Sequence, residues 1–392
     1  MKTARIIFHI DMNCFYASCE IANNEDLKGK PVVIAHNDPF QRSIIVSPSY
    51  EARKYGIKAT MKIIDAFKLC HDIVVVEPDH NLYHEYSKLF HQYLLKITDK
   101  VEMASIDEAF VDVTDICNGA DAIKLAEKIQ KDIYELYKLP TSIGIAPNKL
   151  LAKMASDMKK PMGITVLRRR EIDKYMWVLP INDLLGVGKK TLDKMAELEI
   201  KTIGDLANYQ DIEKLKKVLG NANAIGLYQR SHGIDDSIVT PYEQEQTSIS
   251  SANTFYLDTY DEKLIKDTIK VLCNSVSNRL INEKKATLNI GIQFKYNDGI
   301  QFNRSKSLSK ATNDNFELYK NAIDVFDDFY DNLRPIRLIG VFCNRLQDEK
   351  ESIKQITIFD DFNKLDKEEQ INKLIKEVNK IFGSDSIKKG VK

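Results

Sequence analysis

Short β-branched runs alternate with longer amphipathic stretches through the first third of the chain. The runs at 5–10, 31–35, 44–47 and 73–77 predict strands, and 51–55, 63–69 and 82–97 predict helices between them. Residues 101–113 predict two strands joined at the polar centre 105–108, a hairpin that sets Asp107 and Glu108 on a tight, exposed bend. A helix at 120–137, a strand at 141–145, a turn at Pro147 and a helix at 148–158 follow. The expected result is an α+β layer on a small antiparallel sheet. From 171 to about 233 the pattern is helical only, broken by the turn Gly186-Val187-Gly188. The polar, aperiodic stretch 235–251, with Pro241, reads as a linker. Beyond it, helices at 262–281 and 316–333 and strands at 287–296 and 337–343 predict a second α+β domain. The charged tail after Arg345 holds an apolar island at 356–359 and an amphipathic helix at 370–381.

With 392 residues, 43% of them hydrophobic and 29% charged, the chain has the material for two to four packed domains. Its first apolar run is interrupted by His9 and ended by Asp11, which suits neither a signal peptide nor a spanning helix, so a cytoplasmic protein is expected. Six cysteines without a CxxC pair argue against a disulfide framework and a structural zinc site. Equal numbers of basic and acidic side chains, 57 of each, give no global pointer to nucleic acid. A local patch exists: Lys284, Lys285, Lys295, Arg304, Lys306 and Lys310 face a single acid, Asp298. Charge alone leaves it equally readable as a solvated face.

Three carboxylates stand out for chemistry. Asp11 ends the first strand, Asp107 and Glu108 sit on the bend, and neighbouring strands of one sheet would bring them together. Phosphoryl transfer needs two hard cations about 4 Å apart on such oxygen ligands, which suit magnesium or manganese. Taken singly, each acid reads more readily as a helix cap or a solvated turn. The stretch Leu184–Thr191 is superficially a phosphate-binding P-loop, but Asp183 and Lys190 stand where that motif needs Gly and Ser or Thr. A glycine turn at a helix start instead offers backbone N–H groups to a DNA phosphate, without base readout.

Four segments in order then become specific: Asp11-Met12-Asn13-Cys14-Phe15-Tyr16-Ala17, Ser49-Tyr50-Glu51-Ala52-Arg53-Lys54-Tyr55-Gly56, Ser105-Ile106-Asp107-Glu108-Ala109-Phe110 and Ala155-Ser156-Asp157-Met158-Lys159-Lys160-Pro161. They resemble the signature segments of Y-family translesion DNA polymerases, most of all the bacterial DNA polymerase IV branch. The resemblance implies a right-hand α+β polymerase with a ferredoxin-like palm (1–22 and 74–170), small fingers (23–73) and a helical thumb with a helix-hairpin-helix (171–234). A linker (235–251), a separate α+β little finger (252–345) and a tail (346–392) would complete it.

The same resemblance implies a low-fidelity DNA-directed DNA polymerase that bypasses damaged template bases. Asp11, Asp107, Glu108 and the Met12 carbonyl would hold two Mg2+ ions, with Mn2+ a possible substitute. Tyr50, Arg53, Lys160 and Arg42 would contact the incoming deoxyribonucleoside triphosphate. Tyr16 would be the aromatic gate that leaves no room for a 2′-hydroxyl. Gly186, Gly188 and Lys189 in the thumb and Lys295, Arg304 and Lys306 in the little finger would grip primer-template DNA through its phosphates. Gln355, Ile358 and Phe359 resemble the peptide by which bacterial polymerases bind the sliding clamp. A monomer is expected, with no membrane partner. Asn13 departs from the acid frequent at its position. A non-catalytic relative would have lost the carboxylates, and another palm-type nucleotidyl transferase or a cyclase would lack the glycine-turn thumb and second DNA-gripping domain. The mutagenesis-type branch of the same family stays open as a rival.

Overall fold

Six consecutive buried residues, Ile7–Met12, form β1, a strand covered on both faces. The computed structural model describes residues 5–36, 43–117, 119–241 and 245–349. It divides into two units, Met1–Gln244 and Glu245–Lys392. In the first, β1 leads to α1 (Phe15–Asn23), β2 (Val32–Ile34), β3 (Ser47–Pro48), α2 (Tyr50–Arg53), α3 (Ile63–Leu69) and β4 (Val74–Val76). Then come α4 (His80–Leu95), β5 (Val101–Met103), β6 (Glu108–Asp112), α5 (Gly119–Tyr137), β7 (Thr141–Ala146), α6 (Lys149–Met158) and β8 (Ile164–Val166). Five short helices close the unit: α7 (Ile172–Tyr175), α8 (Lys189–Glu197), α9 (Ile203–Ala207), α10 (Ile212–Leu219) and α11 (Asn221–Ser231).

The central sheet has the order β5-β6-β1-β7-β8. Side chains alternate across a strand, so β1 feeds two cores. Phe8, Ile10 and Met12 pack with α1, α4 and α5, through residues such as Phe15, Tyr83, Phe90 and Ile129. Ile7, on the opposite face, joins Phe110 and the apolar side of α6. His9 and Asp11 share that face by the same period, and α6 is therefore the helix that meets the site. It lies close because Gly144 on β7 has no Cβ; one built there would collide with the Ala152 carbonyl and the Ser156 N–H of α6. Overpacking at such a contact costs about 1–3 kcal/mol, so this glycine fixes the depth at which α6 sits.

The expected single antiparallel sheet is corrected in two ways. β8, absent from the sequence reading, pairs parallel to β7, and β2, β3 and β4 form a separate three-stranded sheet in which β2 and β4 are parallel. The helix expected at 51–55 is one turn, Tyr50–Arg53, ending before Gly56 at φ 83°.

The second unit contains β9 (Ser248–Thr259), α12 (Glu262–Asn282), β10 (Lys285–Tyr296), β11 (Gln301–Thr312), α13 (Asn315–Phe329) and β12 (Ile336–Asp348). Its sheet runs β11-β10-β12-β9, antiparallel throughout, and α12 and α13 cover one face through a core of Ile265, Ile269, Val276, Phe326, Ile290, Ile292 and Phe294. Both edge strands escaped the sequence reading, and β9 begins inside the span read as linker. The helix expected to reach 333 stops at Phe329. The apolar island at 356–359, the helix at 370–381 and Arg42 lie outside the described residues.

Candidate active site

Antiparallel pairing of β1 with β6 puts Asp11 directly opposite Glu108. The next backbone contact, Met12 N–H to the Asp107 carbonyl at 3.0 Å, brings the third acid alongside. The bend before β6 is closed by Ala104 N–H and Ser105 N–H donating to the Glu108 carbonyl, at 2.9 and 3.3 Å. Within it the Ser105 hydroxyl donates to Asp107 Oδ1 at 2.6 Å. One turn of hairpin thus fixes two adjacent acids against the end of a buried strand.

The environments of these acids diverge. Asp11 is 6% exposed, and burial, only partly offset by Lys160 at 2.8 Å, pushes its carboxyl up to about 6. Lys160 also reaches Asp157 at 2.8 Å. For Glu108, burial is outweighed by a hydrogen bond with His9 and by the Lys153 ammonium at 2.7 Å, which hold its carboxyl well below the usual range. Asp11 is thus a costly buried charge, whereas Glu108 is amply compensated.

A cavity of about 320 Å3 opens beside Asp11, lined also by Met12, Tyr16, Val46, Tyr50, Arg53, Asp107 and Lys160. Tyr50 and Arg53 sit one helical turn apart, with the guanidinium 4.8 Å from the ring centroid and Nε donating to the Pro48 carbonyl at 3.1 Å. Ser49 caps this one-turn helix, accepting from Ala52 N–H at 3.2 Å, and also accepts from Val32 N–H at 3.1 Å, which ties the turn to β2. Tyr16 stacks on Tyr83, centroids 4.3 Å apart and 11° from parallel, and Tyr83 donates its hydroxyl to Glu20 at 2.7 Å. Val46, at the cavity wall, is 47% exposed.

Other expected residues fall elsewhere. Gly186 adopts φ 97°, a conformation that favours glycine, and Gly188 precedes α8, whose first residue is Lys189. The element before this turn is a single 3-10 turn at Ile181–Asp183. The basic stretch in the second unit does not face one way. Arg304 pairs across the strands with the buried Ile292, and Lys306 with the buried Ile290, so both lie on the face covered by the helices. Lys306 accordingly reaches Asp324 of α13 at 2.9 Å, and Arg304 sits 5.3 Å from the Phe329 centroid. Lys295 has the opposite parity and lies on the face away from α12 and α13 with Gln293, Asn303 and Ser305. Sequence reasoning passed over His9, Lys153 and Ser156, although His9 precedes Asp11 by two and had to share its face.

The chain matches three family models: the impB/mucB/samB family over residues 10–157, the C-terminal domain of that family over 246–358, and a DNA polymerase-iota thumb domain over 182–235. It is 40% identical to a DNA polymerase IV of Oceanobacillus iheyensis over 384 residues, 98% of this chain and 91% of that protein. Against DNA polymerase IV 1 of Bacillus subtilis the identity is 39% over 388 residues, 99% and 93% of the two chains. A solved Y-family DNA polymerase chimera superimposes with a TM-score of 0.80 at 29% identity, covering 88% of this chain and 99% of its own. Full-length similarity, three matched domains and a shared fold lead to one conclusion: the chain belongs to the DNA polymerase IV branch of the Y-family DNA polymerases.

Proposed function

We propose that this polymerase adds deoxyribonucleotides to a primer 3′-hydroxyl by two-metal-ion phosphoryl transfer, with low fidelity, and carries synthesis past damaged template bases. The observation that carries the reading is the placement of Asp11, Met12 and Asp107 on the wall of one cavity, with Glu108 paired opposite Asp11.

The donor set fits a hard cation: carboxylate and carbonyl oxygens, one of them on a buried acid whose negative charge is incompletely offset. Among the described residues no three His, Cys, Asp or Glu side chains already converge on one point. Asp11, Asp107, Glu108 and the Met12 carbonyl are the groups that would hold two Mg2+ or Mn2+ ions. Such ions lower the pKa of an attacking hydroxyl and neutralise developing charge on the triphosphate. The chain's own cations do the remaining work at the cavity. Arg53 and Lys160 offer donors to phosphate oxygens, and Tyr50 beneath the guanidinium limits its swing. Tyr16, braced by Tyr83, would close the space that a 2′-hydroxyl needs. The exposure of Val46 supports a loosely covered nascent pair, the condition for tolerating a distorted template base. Gly186, Gly188 and Lys189 would meet DNA phosphates, and Lys295, on the sheet face opposite α12 and α13, would take the same role in the little finger.

Asp107→Ala and Glu108→Ala should each lower primer extension at least about a hundredfold while DNA affinity stays near the parent value, because charge stabilisation is lost from the transition state. Extension at the parent rate by either purified variant refutes the carboxylate assignment.

Tyr16→Ala should admit ribonucleotides and keep deoxyribonucleotide addition. Single-nucleotide insertion assays that find sugar discrimination unchanged would reduce Tyr16 to core packing against Tyr83.

The elevated Asp11 carboxyl has a consequence for the metal-free protein. Burial pushes it up to about 6 in the folded protein, from the ordinary carboxyl value of 3.8 in the unfolded chain. The folded state therefore binds the proton more tightly, a stability contribution complete below the unfolded value and lost as pH rises through 6. Asp11→Asn should remove this dependence and stabilise the metal-free protein at neutral pH by on the order of 1–3 kcal/mol while abolishing synthesis. Thermal melts against pH, in chelator, check it; an unchanged profile means that Lys160 compensates the charge fully.

The peptide Gln355–Phe359 would dock on a sliding clamp. Ile358→Ala with Phe359→Ala should abolish clamp stimulation and spare clamp-free extension; full stimulation in that variant counts against the docking.

A further inference from the structure

Glu108 is gripped from behind by side chains that the carboxylate chemistry does not itself require. His9 is 0% exposed, packed 4.7 Å from the Phe110 ring centroid. Its Nε2 lies 3.3 Å from Glu108 Oε2, and its Nδ1 lies 2.8 Å from the hydroxyl of the buried Ser156. That hydroxyl is also 2.8 Å from the Lys153 carbonyl, and Lys153 Nζ returns to the same Glu108 oxygen, Oε2, at 2.7 Å. The contacts form a closed loop through β1, β6 and α6.

Hydrogen counting orients the loop. A hydroxyl has one hydrogen, so Ser156 donates either to the Lys153 carbonyl or to His9 Nδ1. In the first case Nδ1 carries the ring hydrogen of a neutral imidazole, and Nε2 aims a lone pair at a carboxylate oxygen. In the second, Nε2 carries the hydrogen and donates to Oε2. A carboxylate oxygen offers only lone pairs, so the first arrangement sets two acceptors against each other at 3.3 Å, whereas the second pairs a donor with an acceptor at both ring nitrogens. An apolar residue at position 9 would fill the same space without this bond.

We propose that His9, oriented by Ser156, is a positioning residue for Glu108: it donates Nε2–H to Oε2, shares that oxygen with Lys153, and leaves Oε1 for the metal ion at the primer hydroxyl. This rests on the reading of Glu108 as a metal ligand. Groups that hold a ligand's far side commonly alter metal affinity or activity by about 10–100-fold when removed.

The test uses the full chain. His9→Phe keeps a ring and removes both nitrogens, His9→Gln restores an N–H donor at similar reach, and Ser156→Ala removes only the hydroxyl. Extension kinetics are read together with Mn2+ affinity, measured by electron paramagnetic resonance on complexes with a dideoxy-terminated primer-template and the next nucleotide. His9→Phe and Ser156→Ala should lower kcat about tenfold or more and weaken Mn2+ binding about tenfold, with nucleotide KM within about threefold of the parent. His9→Gln should recover most of both losses, which a purely structural role would not predict. If His9→Phe does not fold, Ser156→Ala decides. Parent-level kcat and Mn2+ affinity in these variants, with Glu108→Ala inactive, overturn the inference and leave the Glu108 reading standing. Parent-rate extension by Glu108→Ala removes that reading and the inference with it.

Discussion

Two carboxylates directly opposite each other on adjacent strands repel, and the β1–β6 register imposes this on Asp11 and Glu108. The register cannot slip to relieve it. A shift of one residue would turn Phe8, Ile10 and Met12 out of one core and Ile7 out of the other, because β1 is buried on both faces. The hydrophobic pattern therefore holds the repulsion in place, and the surroundings must offset it.

The offset comes mainly from one helix and the segment after it. Lys153 projects from α6 to Glu108, and Lys160, just beyond the end of α6, reaches Asp11 and Asp157. Close approach of that helix depends on the missing side chain at Gly144. Compensation is unequal: Glu108 gains an ammonium and an imidazole, whereas Asp11 keeps a carboxyl pushed up to about 6. A site left short of positive charge at one acid stores affinity for a cation, and stability is the quantity sacrificed.

The carboxylates were legible because strand alternation, a polar bend and four ordered segments all pointed to the same residues. Central strands were legible for a related reason: they are buried, and burial writes itself as apolar runs. The edge strands β9 and β11 were not, since Ser248–Thr259 and Gln301–Thr312 are largely exposed and polar, and pairing rather than side-chain pattern makes them strands. Missing β11 had a price at the site level. Without its register against β10, Lys295 looked like a companion of Arg304 and Lys306, although parity divides them between faces. His9 was readable from its spacing to Asp11, but its role depends on Ser156 and Lys153 across a helix, a contact no local pattern encodes.

Little chain separates the Asp11 carboxylate from the Tyr16 ring. Between Asp11 and Tyr16 lies a single turn, in which Cys14 takes left-handed angles, φ 42° and ψ 49°, at a cost of about 1–2 kcal/mol for a residue with a Cβ. Asn13 holds that turn: its N–H donates to the Pro140 carbonyl at 2.8 Å, and its Oδ1 accepts from Ser142 at 3.1 Å and from Met162 N–H at 2.9 Å. Ser18 donates to the Asn13 carbonyl at 2.7 Å and locks the start of α1 onto the same residue. An acid at position 13 could accept these bonds too, but it would add another negative charge beside Asp11 in a region already short of cations. The amide accepts the same Oδ1 bonds without that charge, and its Nδ2, buried with no partner, carries the desolvation cost in its place. Asn13 thus trades an electrostatic penalty beside Asp11 and Glu108 for an unsatisfied donor, and the turn between Asp11 and Tyr16 keeps its geometry.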